Sequence, residues 1–343
     1  MWSFDGIRAI LPSIEIGEED EMSEIEAKSY RYLRITIVIL LLGIGVAVLY
    51  QTWRQNFHLL DSVSAYYYTP AQSIFVGALI GAGACMVALK GTTEFEDVVL
   101  NLAGFFAAVV AIVPSTRGAD FETAVRACQQ MGGGPLLTQQ ASGDLSCPTV
   151  QALADATRAN VENNMVTLLV LGLLGLLVTI SFALVDRRSQ GGRIGAKVVW
   201  GFGLTFVLWA LGWVALLLDK DWFIHHAHYI AGAGLFICLL AVTLANALRR
   251  QRREPGGLLS TIGAAVGTLF RWPLDPYAWV AWAMVGGIAV TGSLYLLDLA
   301  TLFWLEIVMA LVFVAFWLVQ TVELLAAQAQ AQPAPEVSAA SAA

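Results

Sequence analysis

Residues 35–53 read ITIVILLLGIGVAVLYQTW, nineteen positions without a charge, with Arg34 and Arg54 standing at the two ends. At 1.5 Å rise per residue such a helix covers about 29 Å, close to the hydrocarbon thickness of a bilayer. Lipid offers no partner to a backbone N–H or C=O, so a segment of this kind must close its hydrogen bonds internally, as a helix does.

The pattern recurs on either side of the later charged breaks. Apolar runs occupy 73–90, 98–115, 165–186, 197–218, 224–248, 277–297 and 299–326, the last two joined by little more than Asp298. Over all 343 residues, 58% are hydrophobic and 13% charged, against roughly 25% charged in an ordinary soluble domain. That composition excludes a soluble enzyme. The expected fold is all-α, a polytopic transmembrane bundle of about eight spanning helices. Residues 257–272 are apolar but short and Gly-rich, and read as an interfacial or re-entrant piece rather than a ninth span.

The spans divide the chain into an acidic segment at 1–34, a bundle at 35–326 and a tail at 327–343. The first 34 residues carry eight acids and four bases without the basic start, short apolar core and cleavage site of a secretory signal, so insertion is expected to begin with the first span. Within it Ser23 and Glu26 are spaced as a helix N-cap pair, and Trp2, Phe4, Ile7, Ile10 and Leu11 have the spacing of a surface helix. The Ala/Gln/Pro/Ser tail has too little apolar surface to fold alone and is expected to be disordered. No internal repeat suggests the inverted halves of a transporter.

Orientation follows from Lys and Arg. With the N-terminus cytoplasmic, 14 of the 19 bases fall inside, including Arg187, Arg188 and the run Arg249, Arg250, Arg252, Arg253, and five outside: Arg54, Arg117, Arg126, Arg158 and Lys220. Both termini are then cytoplasmic, in the inner membrane of a bacterium. The polar loop 116–164 lies outside, where thiols oxidise, and a disulfide between its Cys128 and Cys147 is expected. Cys85 and Cys238, inside apolar runs, read as packing residues. The net charge of −7 leaves no basic face for nucleic acid.

Polar residues carry most information where lipid makes them costly. One group is the outward loop with His58, Asp61, Ser62, Ser64, Tyr66, Tyr67, Tyr68 and Thr69 ahead of Pro70; another is His225, His226 and His228 at the outer end of a later span. A third is Glu306, read as roughly two turns below the outer end of the last span, with Asp298 in the hairpin above it. Glu94, Glu96 and Asp97 near Lys90 read as a solvated turn on the other side. Glycines 77, 81 and 83, and 286, 287 and 292, have the small-residue spacing that permits close helix contact.

These groups support three functional readings. The leading one is a non-enzymatic protein that binds or handles a lipid or other amphipathic ligand at an outward pocket of Ser62, Ser64, Tyr66, Tyr67, Tyr68, His228, Asp298 and Glu306. Its partners are membrane lipids, and it needs no cofactor. In the second, His58, Asp61, His225 and His228 hold zinc for hydrolysis of a lipid ester or amide, although no H-E-x-x-H, nucleophile elbow or phosphate loop is present. The third is a proton-coupled transporter with Glu306 and His228 as the relay; a dry inner half would count against it. A protein partner is not legible.

The stretch Ser62-Val63-Ser64-Ala65-Tyr66-Tyr67-Tyr68-Thr69-Pro70, followed by Phe75-Val76-Gly77, Lys90-Gly91, Asn101-Leu102-Ala103-Gly104 and Pro114, resembles a group of uncharacterised bacterial multi-spanning proteins distantly similar to the Frag/DRAM type. His228-Tyr229-Ile230-Ala231-Gly232 resembles the start of a later helix in that group. The resemblance implies a helical bundle and carries no activity. A weaker likeness is to ceramidase and progestin-receptor type hydrolases, which use Ser, Asp and three His around a metal. Here the histidines are spaced i, i+1 and i+3, unlike that pattern.

Overall fold

The computed structural model describes residues 18–91, 93–115, 117, 119–130, 138–140, 143–145, 147–190, 196–250 and 276–331. In chain order these form α1 (Glu18–Arg54), a short 3-10 helix (Ser64–Tyr68), α2 (Gln72–Ala88), α3 (Glu94–Ile112), α4 (Ala119–Gln130), the strands β1 (Thr138–Gln140) and β2 (Gly143–Leu145), α5 (Cys147–Gln190), α6 (Ala196–Leu218), α7 (Lys220–Arg250), α8 (Pro276–Leu296) and α9 (Leu302–Ala331). The protein is a polytopic all-α membrane bundle. Among the described residues seven helices are long and apolar enough to cross a bilayer, and the apolar α2, at 17 residues, supplies an eighth element.

Local chemistry accounts for the helix ends. Thr93 accepts from the Glu96 N–H at 3.2 Å, and Glu94, Glu96 and Asp97 fill the first turn of α3, complementing its dipole. Asp97 also accepts from the Gly91 N–H. A Cβ on Gly91 would lie 2.4 Å from that of Glu96. The α2–α3 connection therefore closes around buried Glu96 while Lys90 and Glu94 stay exposed, so the solvated reading holds for part of that set. Asp219 parts α6 from α7 and accepts from the Trp222 N–H at 2.9 Å.

The expected N-cap pair Ser23 and Glu26 lies inside α1, because the helix starts at Glu18. The bundle's first helix thus begins within the acidic segment, and α9 runs into the expected tail as far as Ala331. The surface helix expected at Trp2–Leu11, the piece at 257–272 and the tail beyond 331 lie outside the described residues.

The core lies among α1, α2, α3, α7, α8 and α9, with α2 against α3 and α3 against α7 as its most extensive faces. A Cβ on Gly83 would meet the Gly104 carbonyl oxygen at 2.7 Å, and one on Gly104 would meet the Gly83 oxygen at 2.5 Å. Only glycine permits this backbone contact of α2 with α3. Gly234 likewise sits against the Phe106 ring, and a Cβ on Gly287 would meet Val308 at 2.8 Å. Gly77, Gly286 and Gly292 face open space, so the small-residue reading holds for part of that set.

α5 is 44 residues long, about 66 Å at helical rise and twice the span a bilayer needs. Its first turns pack on α4 around Phe121, Ala124, Cys128 and Val150. The antiparallel hairpin β1–β2 lies between α4 and α5 in the chain.

Candidate functional site

At the end of the bundle shared by the 61–70 turn, residues 113–117 and the starts of α7 and α9, polar side chains converge. Ser62 Oγ accepts from the Ala65 N–H at 2.9 Å and so starts the 3-10 helix. It also bonds Ser115 Oγ at 2.9 Å. The helix carries three tyrosines that lock it to its surroundings. Tyr66 is fully buried, with its hydroxyl 2.5 Å from Thr52 Oγ1 of α1 and its ring against Phe303. Tyr67 packs edge-on against Tyr68. Tyr68 donates its hydroxyl to the Ser115 carbonyl at 2.9 Å. The Phe303 N–H donates to the Asp61 carbonyl at 2.8 Å, closing the turn over the start of α9.

Ser64, His228 and Glu306 form the centre. Glu306 Oε2 accepts from the Val63 N–H at 2.5 Å and lies 3.4 Å from the Ser64 nitrogen, so the carboxylate caps the 3-10 helix from another element. Ser64 Oγ lies 2.5 Å from Glu306 Oε1 and 2.8 Å from His228 Nε2. The far ring nitrogen, Nδ1, stands 2.6 Å from the Val113 carbonyl. A carbonyl only accepts, so Nδ1 carries a proton.

Proton counting then constrains the trio. Ser64 has one hydroxyl proton for two contacts. Both contacts are hydrogen bonds when His228 and Glu306 share one further proton. Either Nε2–H donates to Ser64 Oγ and Ser64 donates to the carboxylate, or a protonated Glu306 donates to Ser64 Oγ and Ser64 donates to the neutral ring. Two protons moving along the same heavy atoms interconvert these states. Ser64 is the bridge, since Nε2 and Oε1 are 3.8 Å apart.

The pocket residues Ser62, Ser64, Tyr66, Tyr67, Tyr68, His228 and Glu306 are thus brought together, but as a largely closed network. Ser64 and His228 are buried, Tyr68 is half-buried, and the Glu306 side chain keeps 20% exposure. Asp298 does not join them. It is exposed in the α8–α9 connection with φ 55°, a left-handed conformation that Asp tolerates better than most residues. Glu306 sits one turn inside α9, shallower than expected, because that helix begins at Leu302.

The proposed zinc ligands are not assembled. His58 and Asp61 are exposed, and His225, also exposed, bonds the Asp221 carbonyl of its own helix at 2.7 Å while His228 points into the bundle. His226 stacks on Trp222. Among the described residues no group of three or more His, Cys, Asp and Glu is placed to hold a metal ion.

Sequence reasoning missed Thr52, Val113, Ser115 and Arg117. Two of these act through backbone carbonyls, for which no residue type is diagnostic. Arg117 lies with its guanidinium carbon 4.0 Å above the Tyr68 ring and 5.2 Å from that of Phe121. Burial pulls this cation below its usual range, opposed by the neighbouring Tyr68 and Tyr67. Cys128 is fully buried beneath α5, and the side chain of Cys147 lies outside the described residues.

No family model matches the chain, and neither a curated protein nor a solved structure matches it.

Proposed function

We propose that this chain is a non-enzymatic membrane protein that binds a lipid or other amphipathic ligand at the Ser64–His228–Glu306 end of the bundle. One observation carries the reading. Three polar side chains from three separate segments meet where lipid makes them costly; Glu306 is the partly open member, and Leu59, Leu299 and Trp304 of the neighbouring chain segments are exposed. A ligand's polar head would take over carboxylate bonds now made to Val63 and Ser64, with its tail along the apolar rim. The resemblance to Frag/DRAM-like proteins is compatible with this reading and names no ligand.

The test is native mass spectrometry of the full chain in maltoside detergent with added phospholipid. Glu306→Gln and Ser64→Ala should each weaken lipid retention about tenfold, the scale of one hydrogen bond to a charged group. Unchanged retention in both variants would sink the reading.

The bridging of two ionisable side chains, His228 and Glu306, through Ser64 favours a second reading, proton-coupled transport. Buried Ala231, Leu235, Leu239 and Val242 of α7 and Met309, Phe313 and Phe316 of α9 count against it, because they form an apolar layer below the site. For the hydrolase, a serine bonded to a histidine oriented by a carbonyl is the arrangement of an activated nucleophile. Ser64 is however buried and also engaged by Glu306, which leaves a substrate carbonyl no approach.

We further infer a bacterial cytoplasmic membrane, both termini inside, and a Cys128–Cys147 disulfide outside. The support is the 14 to 5 partition of bases, the packing of α4 on the start of α5 around buried Cys128, and Cys85 and Cys238 as the free cysteines among the described residues.

A further inference from the structure

We propose that Arg117, held over the Tyr68 ring, binds the phosphate of a membrane lipid headgroup. This deepens the ligand reading above by naming a headgroup class, and rests on it.

The inference starts from a mismatch in charge pairing. Two other cations at this end of the bundle are matched: Lys220 pairs with Glu162 at 2.5 Å, and Arg158 pairs with Asp221. Both of those pairs are well exposed to solvent. Arg117 is half-buried, so it has the greater need of a counter-charge. Yet none of the carboxylates whose side chains the structure describes pairs with it, those of Asp120 and Glu122 lying outside that set, and its buried Nε has no hydrogen-bond partner. Tyr68 and Phe121 offer ring faces only. Such contacts offset part of the desolvation and leave the buried Nε without an acceptor.

A planar guanidinium with a free edge takes an oxyanion in two parallel hydrogen bonds, and phosphate fits that fork. The residue stands five positions beyond the end of α3, where a span gives way to the polar segment and headgroup phosphates reside. It is also tied to the site. Past the end of α3, Val113 meets His228, Ser115 meets Ser62 and Tyr68, and Arg117 meets Tyr68. A headgroup on Arg117 would therefore sit beside the turn that Glu306 caps.

The experiment titrates delipidated full chain in maltoside detergent with phosphatidylglycerol, with the phosphate-free diacylglycerol of the same chains, and with inorganic phosphate, followed by native mass spectrometry. Wild type should retain phosphatidylglycerol in preference to diacylglycerol. Arg117→Gln should weaken that retention about tenfold or more, and Lys220→Gln should leave it unchanged. Arg117→Lys keeps a cation without the fork and should lose several-fold, which covers the case in which the glutamine variant fails to fold. Equal retention by wild type and a folded Arg117 variant overturns the proposal. Inorganic phosphate binding as tightly as the lipid overturns the lipid source. If Arg117 variants lose lipid while Glu306→Gln does not, the headgroup site stands and the ligand reading at Glu306 fails; the reverse pattern removes Arg117 alone.

Discussion

Helices α3 and α5 are both apolar spans, yet they live in different surroundings. Half of the most apolar stretch of α3 is buried inside the protein, against 6% for α5 and 11% for its neighbour α6. α3 spends its surface on backbone contact with α2 through Gly83 and Gly104 and on α7 through Phe106 and Gly234. α5 and α6 touch each other through few specific features, among them the Trp209 indole N–H donating to the Leu169 carbonyl at 2.7 Å. Their Leu171, Leu174, Leu177, Leu204 and Val207 stay exposed. Hydropathy measures what a helix may touch, and close packing is decided by shape: lipid satisfies a leucine as well as protein does, whereas a glycine groove is filled only by another backbone.

Substitutions break the contrast in a graded way. Gly104→Leu should be the most damaging change, since its Cβ alone would enter van der Waals overlap with the Gly83 carbonyl. A cost of about 3 kcal/mol or more is expected, read as loss of the monodisperse peak in size-exclusion chromatography. Cys128→Ser should cost about 3 kcal/mol in the α4–α5 region, given the loop of roughly 19 residues that the disulfide would close. The linkage itself is checked by non-reducing peptide mapping, and separate recovery of the two cysteine peptides would refute it.

Glu306→Ala should cost about 2 kcal/mol in thermal unfolding, by stripping acceptors from Val63 and a partner from Ser64. Glu306→Gln should cost under about 1 kcal/mol. Its oxygen still accepts from the backbone, and its amide donates to Ser64, whose proton then goes to His228. If both variants lose the same stability, the proton-sharing account is wrong. Leu174→Ala on the lipid side of α5 should change stability by less than about 0.5 kcal/mol; a larger loss would mean that this face meets protein.

The site was legible in the sequence where cost and composition coincide. Glu306 and His228 stood out because an ionisable group in an apolar run needs a partner, and the Tyr66–Tyr68 turn because so many polar residues precede a span. Asp298 and His225 were misassigned for a shared reason. Each lies near the site residues in sequence, but a tight turn exposes the first and a helix rotation exposes the second. Periodicity relates residues on one helix without saying which face the neighbours cover. Ser115 and Arg117 carried no signal, since a serine and an arginine just past a span are ordinary interface residues.

The sequence by itself determined the helical class and where the apolar spans fall along the chain, because the bilayer imposes a length and a composition on any segment that crosses it; how far α1 and α5 extend beyond those spans it did not show. Tertiary structure alone decided that Ser64, His228 and Glu306, separated by more than 70 residues at each step, share one network. The proton count, the carboxylate cap of the 3-10 helix and the unmatched charge of Arg117 arise from that meeting, since each depends on distances of a few ångströms between segments far apart in the chain.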